Sequence, residues 1–379
     1  MILYVYLPFL IFDSLLTQPP IIKAAMWFST VITLLSVALG VNAFSKGFDL
    51  SSTAAMEQGE HVTWYNTNGQ KQPIEAILGA NGMNSIRLRL WTGSQYGINY
   101  VLPLAQRFSK QGYKIFLDFH LSSTWADPTH QLTPSGWSTT SISSLSTSVR
   151  NHVSSTLKAL HAGGVDLSMI SLGNEIRPGM LFPLGKINNN DFNNVATLWA
   201  AARAGVNDAT SAGVKRPQVM IHLDNGWDEG TMTWWFKGFF GTGKVKTSDV
   251  DALGFSFYPF FGSGATTSNL QKSLNTLAST YKKPLYVVET DWPTACSGKT
   301  MSANFPLTTA GQKQWVQSIV KTLQAVPNGL GAGVYYFEPG FVNNTALGSG
   351  CESATLFQAD WKTWPNTKAT AMTSVNMFV

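Results

Sequence analysis

Apolar positions along this chain alternate between two textures. Short runs rich in β-branched and aromatic residues predict strands over residues 44–49, 84–90, 114–120, 169–172, 218–223, 252–257, 285–289 and 333–338. Between them, longer segments carry apolar residues three and four positions apart, which predicts helices over 100–111, 145–162, 192–212, 270–281 and 310–325. Strand and helix in alternation imply βαβ units, because parallel neighbours need a crossover long enough to hold a helix. Eight such units predict an α/β fold made of a single (β/α)8 TIM barrel with extended βα loops. The length of 379 residues agrees, since barrels of this kind often use about 250 or more in one domain. The Ser/Thr-rich stretch 133–148 is the best linker candidate, but it contains Trp137 and follows the third strand, which suits a long barrel loop.

Residues 1–43 read differently. From Met26 the chain runs MWFSTVITLLSVALGVNA, ending in Val41-Asn42-Ala43 with the small residues that signal peptidase accepts. Residues 1–43 are therefore expected to be a signal segment and 44–379 the barrel. Within the signal segment, 26–43 is the signal peptide and 1–25 an upstream extension interrupted by Asp13, Pro19 and Pro20. Membrane contact is then confined to passage of the signal peptide; the competing reading keeps 1–41 as an uncleaved anchor. A secreted, extracellular chain matures in an oxidising compartment, so Cys296 and Cys351 are expected to form a disulfide rather than a metal pair or two buried thiols. The sequon Asn343-Asn344-Thr345 would lie on a surface loop if glycosylated.

Composition narrows the ligand. Charged residues make up only 12%, while aromatic residues reach 12% with 13 Trp, a balance that suits a polar, weakly charged molecule such as a sugar stacked on rings. The net charge of +5 comes without a basic cluster: the densest groups are Arg87 with Arg89, Lys244 with Lys246, and Lys282 with Lys283, so nucleic acid is not expected as a partner. In a barrel the residues that finish each strand build the active site. Here they are Arg87 and Arg89, Asp118 and His120, Asn174 and Glu175, His222, Asp224 and Asn225, Tyr258, Glu289, and Glu338. No serine elbow, phosphate loop or metal-ligand spacing accompanies them, so neither metal nor cofactor is expected. Glu175, in LGNE, and Glu289, in VVET, follow the fourth and seventh runs and should approach across the barrel mouth. Two glutamates so placed can act as acid/base and nucleophile on a glycosidic bond, about 5 to 5.5 Å apart in a retaining enzyme. Either one alone could equally make a strand-end salt bridge.

The motifs KGFDLSS, NSIRLRLW, LDFHLSSTWADPTHQ, SLGNEIRPGMLFPLG, MIHLDNGW, GFSFYPFFG, YVVETDWP and GVYYFEPGF occur in this order from Phe44 to an expected last helix. Taken together they resemble the arabinogalactan endo-β-1,4-galactanases of glycoside hydrolase family 53, most closely the fungal ones. The resemblance implies a secreted, endo-acting, retaining enzyme that cuts β-1,4-galactan, the side chain of pectic type I arabinogalactan, and works as a monomer without a cofactor. It also implies roles. Glu175 would be the acid/base and Glu289 the nucleophile; Asn174 would bind the sugar 2-hydroxyl, and Tyr258 and Arg89 would keep Glu289 ionised. His120, Trp125, Asp127, Asp224, Asn225, Trp227 and Trp292 would be sugar ligands, with Phe337 beneath the reacting sugar, although Asp127 before Pro128 could instead cap a turn.

Four positions depart from the family pattern, which usually has Asp at Ser123 and Trp at Phe182, Phe337 and Phe341. Each Trp-to-Phe change keeps an apolar ring but removes an indole N–H, about 0.5–1.5 kcal/mol of stacking platform. The glutamate pair alone also fits a retaining mannanase or cellulase, and the departures leave room for a catalytically weakened sugar-binding relative.

Overall fold

In the computed structural model, residues 43–343, 351 and 353–379 are described. The expected upstream extension and signal peptide, apart from Ala43, lie outside these residues, as do Asn344 and Thr345 of the sequon. Eight parallel strands close on themselves in sequence order: β1 (Ser45–Asp49), β2 (Ser85–Leu90), β3 (Lys114–Phe119), β4 (Met169–Leu172), β5 (Gln218–Leu223), β6 (Ala252–Ser256), β7 (Leu285–Glu289) and β8 (Gly331–Tyr336), with β8 pairing back onto β1. The expected barrel is present, and residues 42–379 form one compact unit. Helices α1 (Thr53–Gly59) and α2 (Ile74–Ala80) join β1 to β2. One helix follows each later strand up to β7: α3 (Ile98–Lys110), α4 (Ile142–Ala162), α5 (Asn193–Ser211), α6 (Glu229–Gly241), α7 (Thr267–Tyr281) and α8 (Thr309–Gln324). Helix α6 escapes a periodicity reading because its sequence, EGTMTWWFKGFFG, is apolar round much of its circumference.

Alternation along the strands sorts side chains into two layers. On β2, Ile86, Leu88 and Leu90 face the helices, while Ser85, Arg87 and Arg89 enter the barrel. The barrel interior is plugged by Phe116, Met169, Met220, Ala252, Tyr286, Val288 and Tyr335. Gly47 makes room for one of these rings, since a Cβ at that position would come 2.1 Å from Tyr335. Above this apolar plug the barrel turns polar, and the site lies there.

Two features differ from expectation. Among the described residues no α-helix follows β8. Strands Thr63–Tyr65, Phe357–Asp360 and Lys368–Ala371 form a small separate sheet, and the chain ends in a short 3₁₀ turn at Thr373–Asn376. These strands are three or four residues long, too short for period-two reading, and one of their two pairings joins distant parts of the chain. The stretch 133–148 is loop running into the first turns of α4, where Ser141 caps the helix, its side chain accepting from Ser144 N at 3.2 Å.

Cys296 and Cys351 are joined in a disulfide, with Cα atoms 4.6 Å apart, and Cys351 is fully buried. It ties the loop after β7 to the segment after β8. Closing a span of 55 residues should stabilise the fold by about 4 kcal/mol in the chain-entropy account. Cys351→Ser is expected to lower the denaturant midpoint by a corresponding amount under non-reducing conditions; an unchanged midpoint would show that the bond adds nothing.

Candidate active site

The polar layer is organised round one cation. Arg87, fully buried on β2, donates to Asp49 at the end of β1, to Asp118 Oδ2 on β3 at 2.5 Å, to Asn174 Oδ1 after β4 at 3.0 Å and to Glu289 Oε1 on β7 at 2.6 Å. A second buried guanidinium, that of Arg89, pairs with Glu338 after β8. Two cations thus face four carboxylates in a water-poor layer. Burial lifts Glu289 above the usual carboxylate range, opposed by the charge of Arg87 and by a hydrogen bond from the Tyr258 hydroxyl to Oε2 at 2.9 Å. Burial likewise lifts Glu338 to about 7 against the pull of Arg89.

Glu289 owes its orientation to a break in the ladder. On the β6–β7 pair, Phe255 faces Val287 but Ser256 faces Glu289, so Val288 is an extra residue. Strict alternation would send Glu289 outward, because Val288 already points into the barrel plug. The bulge turns Glu289 to the mouth instead.

Glu175 reaches the mouth by a different route. After β4 the chain passes through Gly173 at φ +103° and Glu175 itself at φ 48°, a left-handed conformation unusual for a side chain with a Cβ. Ile176 N donates to His222 O at 3.1 Å and locks this turn against β5. Burial first, then the charges of Glu289 and Asp224, raise Glu175 well above its ordinary value, while a hydrogen bond from Ser256 works the other way. Two strands, β5 and β6, separate β4 from β7 round the barrel. Both glutamates line one cavity of 620 Å³. Trp125, Phe260, Phe261 and Phe337 give it aromatic walls, and His120, Asn174, Asp224, Asn225 and Tyr258 give it polar ones.

Most of the residues expected at the site gather here, but three sit elsewhere. Arg89 does not hold Glu289; that place belongs to Arg87. Both arginines enter the same face two residues apart. The upper one lies between the rings of Tyr96, at 4.1 Å, and Trp125, at 4.5 Å, and turns to Glu338. Trp292 is no sugar platform: it is fully buried against Trp315 and Phe305, its Nε1 donating to Pro306 O at 3.0 Å. Trp227 is absent from the cavity wall and covers Gly262 and Gly264, where a Cβ would meet its ring at 3.1 and 2.5 Å. Asp127 lines the cavity and also caps its own turn, Oδ1 accepting from Thr129 N at 2.7 Å and His130 N at 3.0 Å. Of the four departures, only Phe337 lines the cavity; Ser123, Phe182 and Phe341 lie outside its wall.

Among the contributors that escaped the sequence reading are Asp49, Asp291, Phe260 and Phe261. Asp49 ends β1 and the strand-end rule could have found it; the others follow their strands at offsets that only the loop paths explain. Among the described residues Asp118, His222 and Glu289 bring ligand atoms within 4.8 Å of one another. The Arg87 guanidinium already bonds both carboxylates there, so the charge a metal ion would supply is in place.

Comparison with known proteins agrees with this geometry. Residues 45–370 match the model of glycosyl hydrolase family 53. A protein of Neosartorya fischeri named probable arabinogalactan endo-beta-1,4-galactanase A is 41% identical over 327 residues, 84% of this chain and 89% of the relative. The arabinogalactan endo-beta-1,4-galactanase A of Aspergillus niger is 40% identical over 323 residues, 83% of this chain and 90% of its own. A solved fungal beta-1,4-galactanase superposes with a TM-score of 0.82 at 37% identity, covering 89% of this chain and 99% of that one. With strand-end glutamates on β4 and β7, a buried arginine behind the second of them and a family match over nearly all the described residues, the chain belongs to glycosyl hydrolase family 53.

Proposed function

We propose that the protein is a secreted, endo-acting, retaining hydrolase of β-1,4-galactosidic bonds in galactan and pectic type I arabinogalactan. The observation that carries this reading is the unequal pair of carboxyls in one cavity. Glu175 is the more strongly shielded from ionising, whereas Glu289 has an arginine and a tyrosine hydroxyl on its two oxygens. In that pair a single proton belongs on Glu175 and the charge on Glu289. Glu289 then attacks the anomeric carbon while Glu175 gives its proton to the departing glycosidic oxygen, leaving a galactosyl ester on Glu289. Glu175, now ionised, takes a proton from water as its oxygen displaces the ester, which restores both carboxyls.

The neighbours fit supporting roles. Asn174 accepts from Arg87 and gives one amide N–H to Ala126 O at 2.6 Å, so its second N–H is available to a sugar hydroxyl. Asp224, held by Arg177 at 2.8 Å, and Asn225, at φ 53°, present polar groups from the loop after β5. The aromatic walls suit the apolar face of a sugar ring. Substrate specificity for galactan rests on the named relatives, and secretion on the signal-like N-terminal sequence together with a disulfide suited to an oxidising compartment.

The assignment is tested by release of reducing sugar from linear β-1,4-galactan, with mannan, cellulose and xylan alongside. Release from galactan that disappears in Glu289→Gln supports it, and silence on galactan overturns it. Glu175→Gln should lose about 10² to 10⁴ in rate on galactan but far less on an aryl galactoside whose leaving group needs no proton; equal losses would contradict the acid/base role. Tyr258→Phe removes a bond that favours ionised Glu289, so the acidic limb of the kcat/KM profile should move up by about half to one pH unit. A limb that stays in place would show that Arg87 alone sets the charge. Phe337→Trp should lower KM or raise kcat on galactan if ring area at that wall limits binding.

A further inference from the structure

Among the buried polar groups of the cavity, one has no task in the chemistry above. Asp291 follows Glu289 by two residues, is 1% exposed and lines the cavity beside Glu289, Tyr258 and Phe337. Its Oδ1 is sealed from solvent and without a partner, which leaves Oδ2 as the oxygen open to a ligand, and among the described residues neither oxygen makes a hydrogen bond or ion pair. By contrast, Glu289 is held by Arg87 and Tyr258, and Asp224 by Arg177 and Asn225.

The backbone that carries Asp291 is, by contrast, clamped on both sides. Thr290 Oγ1 donates to Phe257 O at 2.7 Å and accepts from Trp315 Nε1 at 2.8 Å. Thr290 O accepts from Phe337 N at 2.8 Å, and Trp292 N donates to the Tyr336 hydroxyl at 3.2 Å. The fold therefore spends rigid structure on placing a carboxyl that the protein itself leaves unsatisfied. An isolated buried polar group destabilises a fold, so one held in place at a cavity wall points to a partner that arrives with the ligand.

We propose that the Asp291 carboxyl is a ligand for a hydroxyl of the galactosyl unit that sits against Glu289. The inference rests on the functional reading above and deepens it by naming a substrate contact. The chemistry of the surroundings selects a hydroxyl. Burial and then the charge of Glu289 raise Asp291 well above its ordinary value, and Tyr258 and Tyr336 also face it, with no cation among them. A neutral carboxyl presents one donor and one acceptor, the same pair that a sugar hydroxyl presents in reverse. A site that holds a hydroxyl in this way also discriminates against a sugar lacking it, since the buried carboxyl would then stay unpaired.

The experiment compares kcat and KM on linear β-1,4-galactan for the wild type, Asp291→Ala and Asp291→Asn, together with the thermal midpoint of each protein. Asp291→Ala is expected to raise KM by about tenfold or more, with a smaller change in kcat, and to unfold at the same or a higher temperature. Asp291→Asn keeps one donor and one acceptor in place and should bring KM back to within about threefold of the wild type. A KM for Asp291→Ala that stays at the wild-type value, or an Asp291→Asn no better than Asp291→Ala, overturns the assignment. So does a midpoint lowered by more than about 5 °C in both variants, which would mark the carboxyl as a support of the fold. With the wild type active on galactan those results defeat this inference alone; a wild type inert on galactan defeats the functional reading and this contact with it.

Discussion

The bond on which the site depends is the division of one guanidinium among several strands. Arg87 meets Asp49 from β1, Asp118 from β3, Asn174 from β4 and Glu289 from β7. Guanidinium stays charged at any pH the protein meets, and its planar fork can serve several oxygens at once, which an ammonium could not do as well. Removing a buried partner of this kind leaves charges uncompensated, a loss of about 3–5 kcal/mol. The barrel mouth is therefore held in register electrostatically above a plug that is held in register by packing.

That arrangement is deficient in positive charge, and the deficit is useful. Arg87 and Arg89 cannot neutralise Asp49, Asp118, Glu289 and Glu338 together, and Glu175 and Asp291 add to the excess without a cation of their own. Asp118 keeps its charge, held well below the usual range by Arg87 and by hydrogen bonding from His120 despite its burial. The surplus is instead relieved by protons that stay on the carboxyls farthest from a guanidinium. A site built this way can keep one carboxyl protonated and another ionised at the same pH.

The second buried pair links the site to its surroundings. Glu338 accepts from Ser52 N at 3.1 Å and Ser52 Oγ at 2.5 Å, so it fixes the loop after β1 as well as Arg89. Arg89 in turn lies 4.5 Å from the ring of Trp125, which forms part of the cavity wall. An arginine expected to act on the nucleophile thus acts on an aromatic wall, one layer nearer the solvent.

Several features were legible in the residues alone. Strand runs with β-branched and aromatic residues, helices with apolar residues three and four apart, and polar residues at strand ends are local properties, and they fixed the barrel, its order and the two glutamates. The bounds of β4, β5 and β7 coincide with their sequence runs because Gly173 ends β4, Pro217 and Asp224 flank β5, and Pro284 precedes β7. What needed the tertiary structure were choices between equivalent residues. Arg87 and Arg89 share a face and a chemistry, and only depth in the barrel separates them. Trp125, Trp227 and Trp292 all follow strands in similar motifs, yet packing leaves only Trp125 of the three on the cavity wall. The bulge that turns Glu289 inward and the stranding of Asp291 without a partner depend on how neighbouring strands and loops meet. Period and composition along a chain decide which face a residue takes; closure of the barrel decides what it meets there.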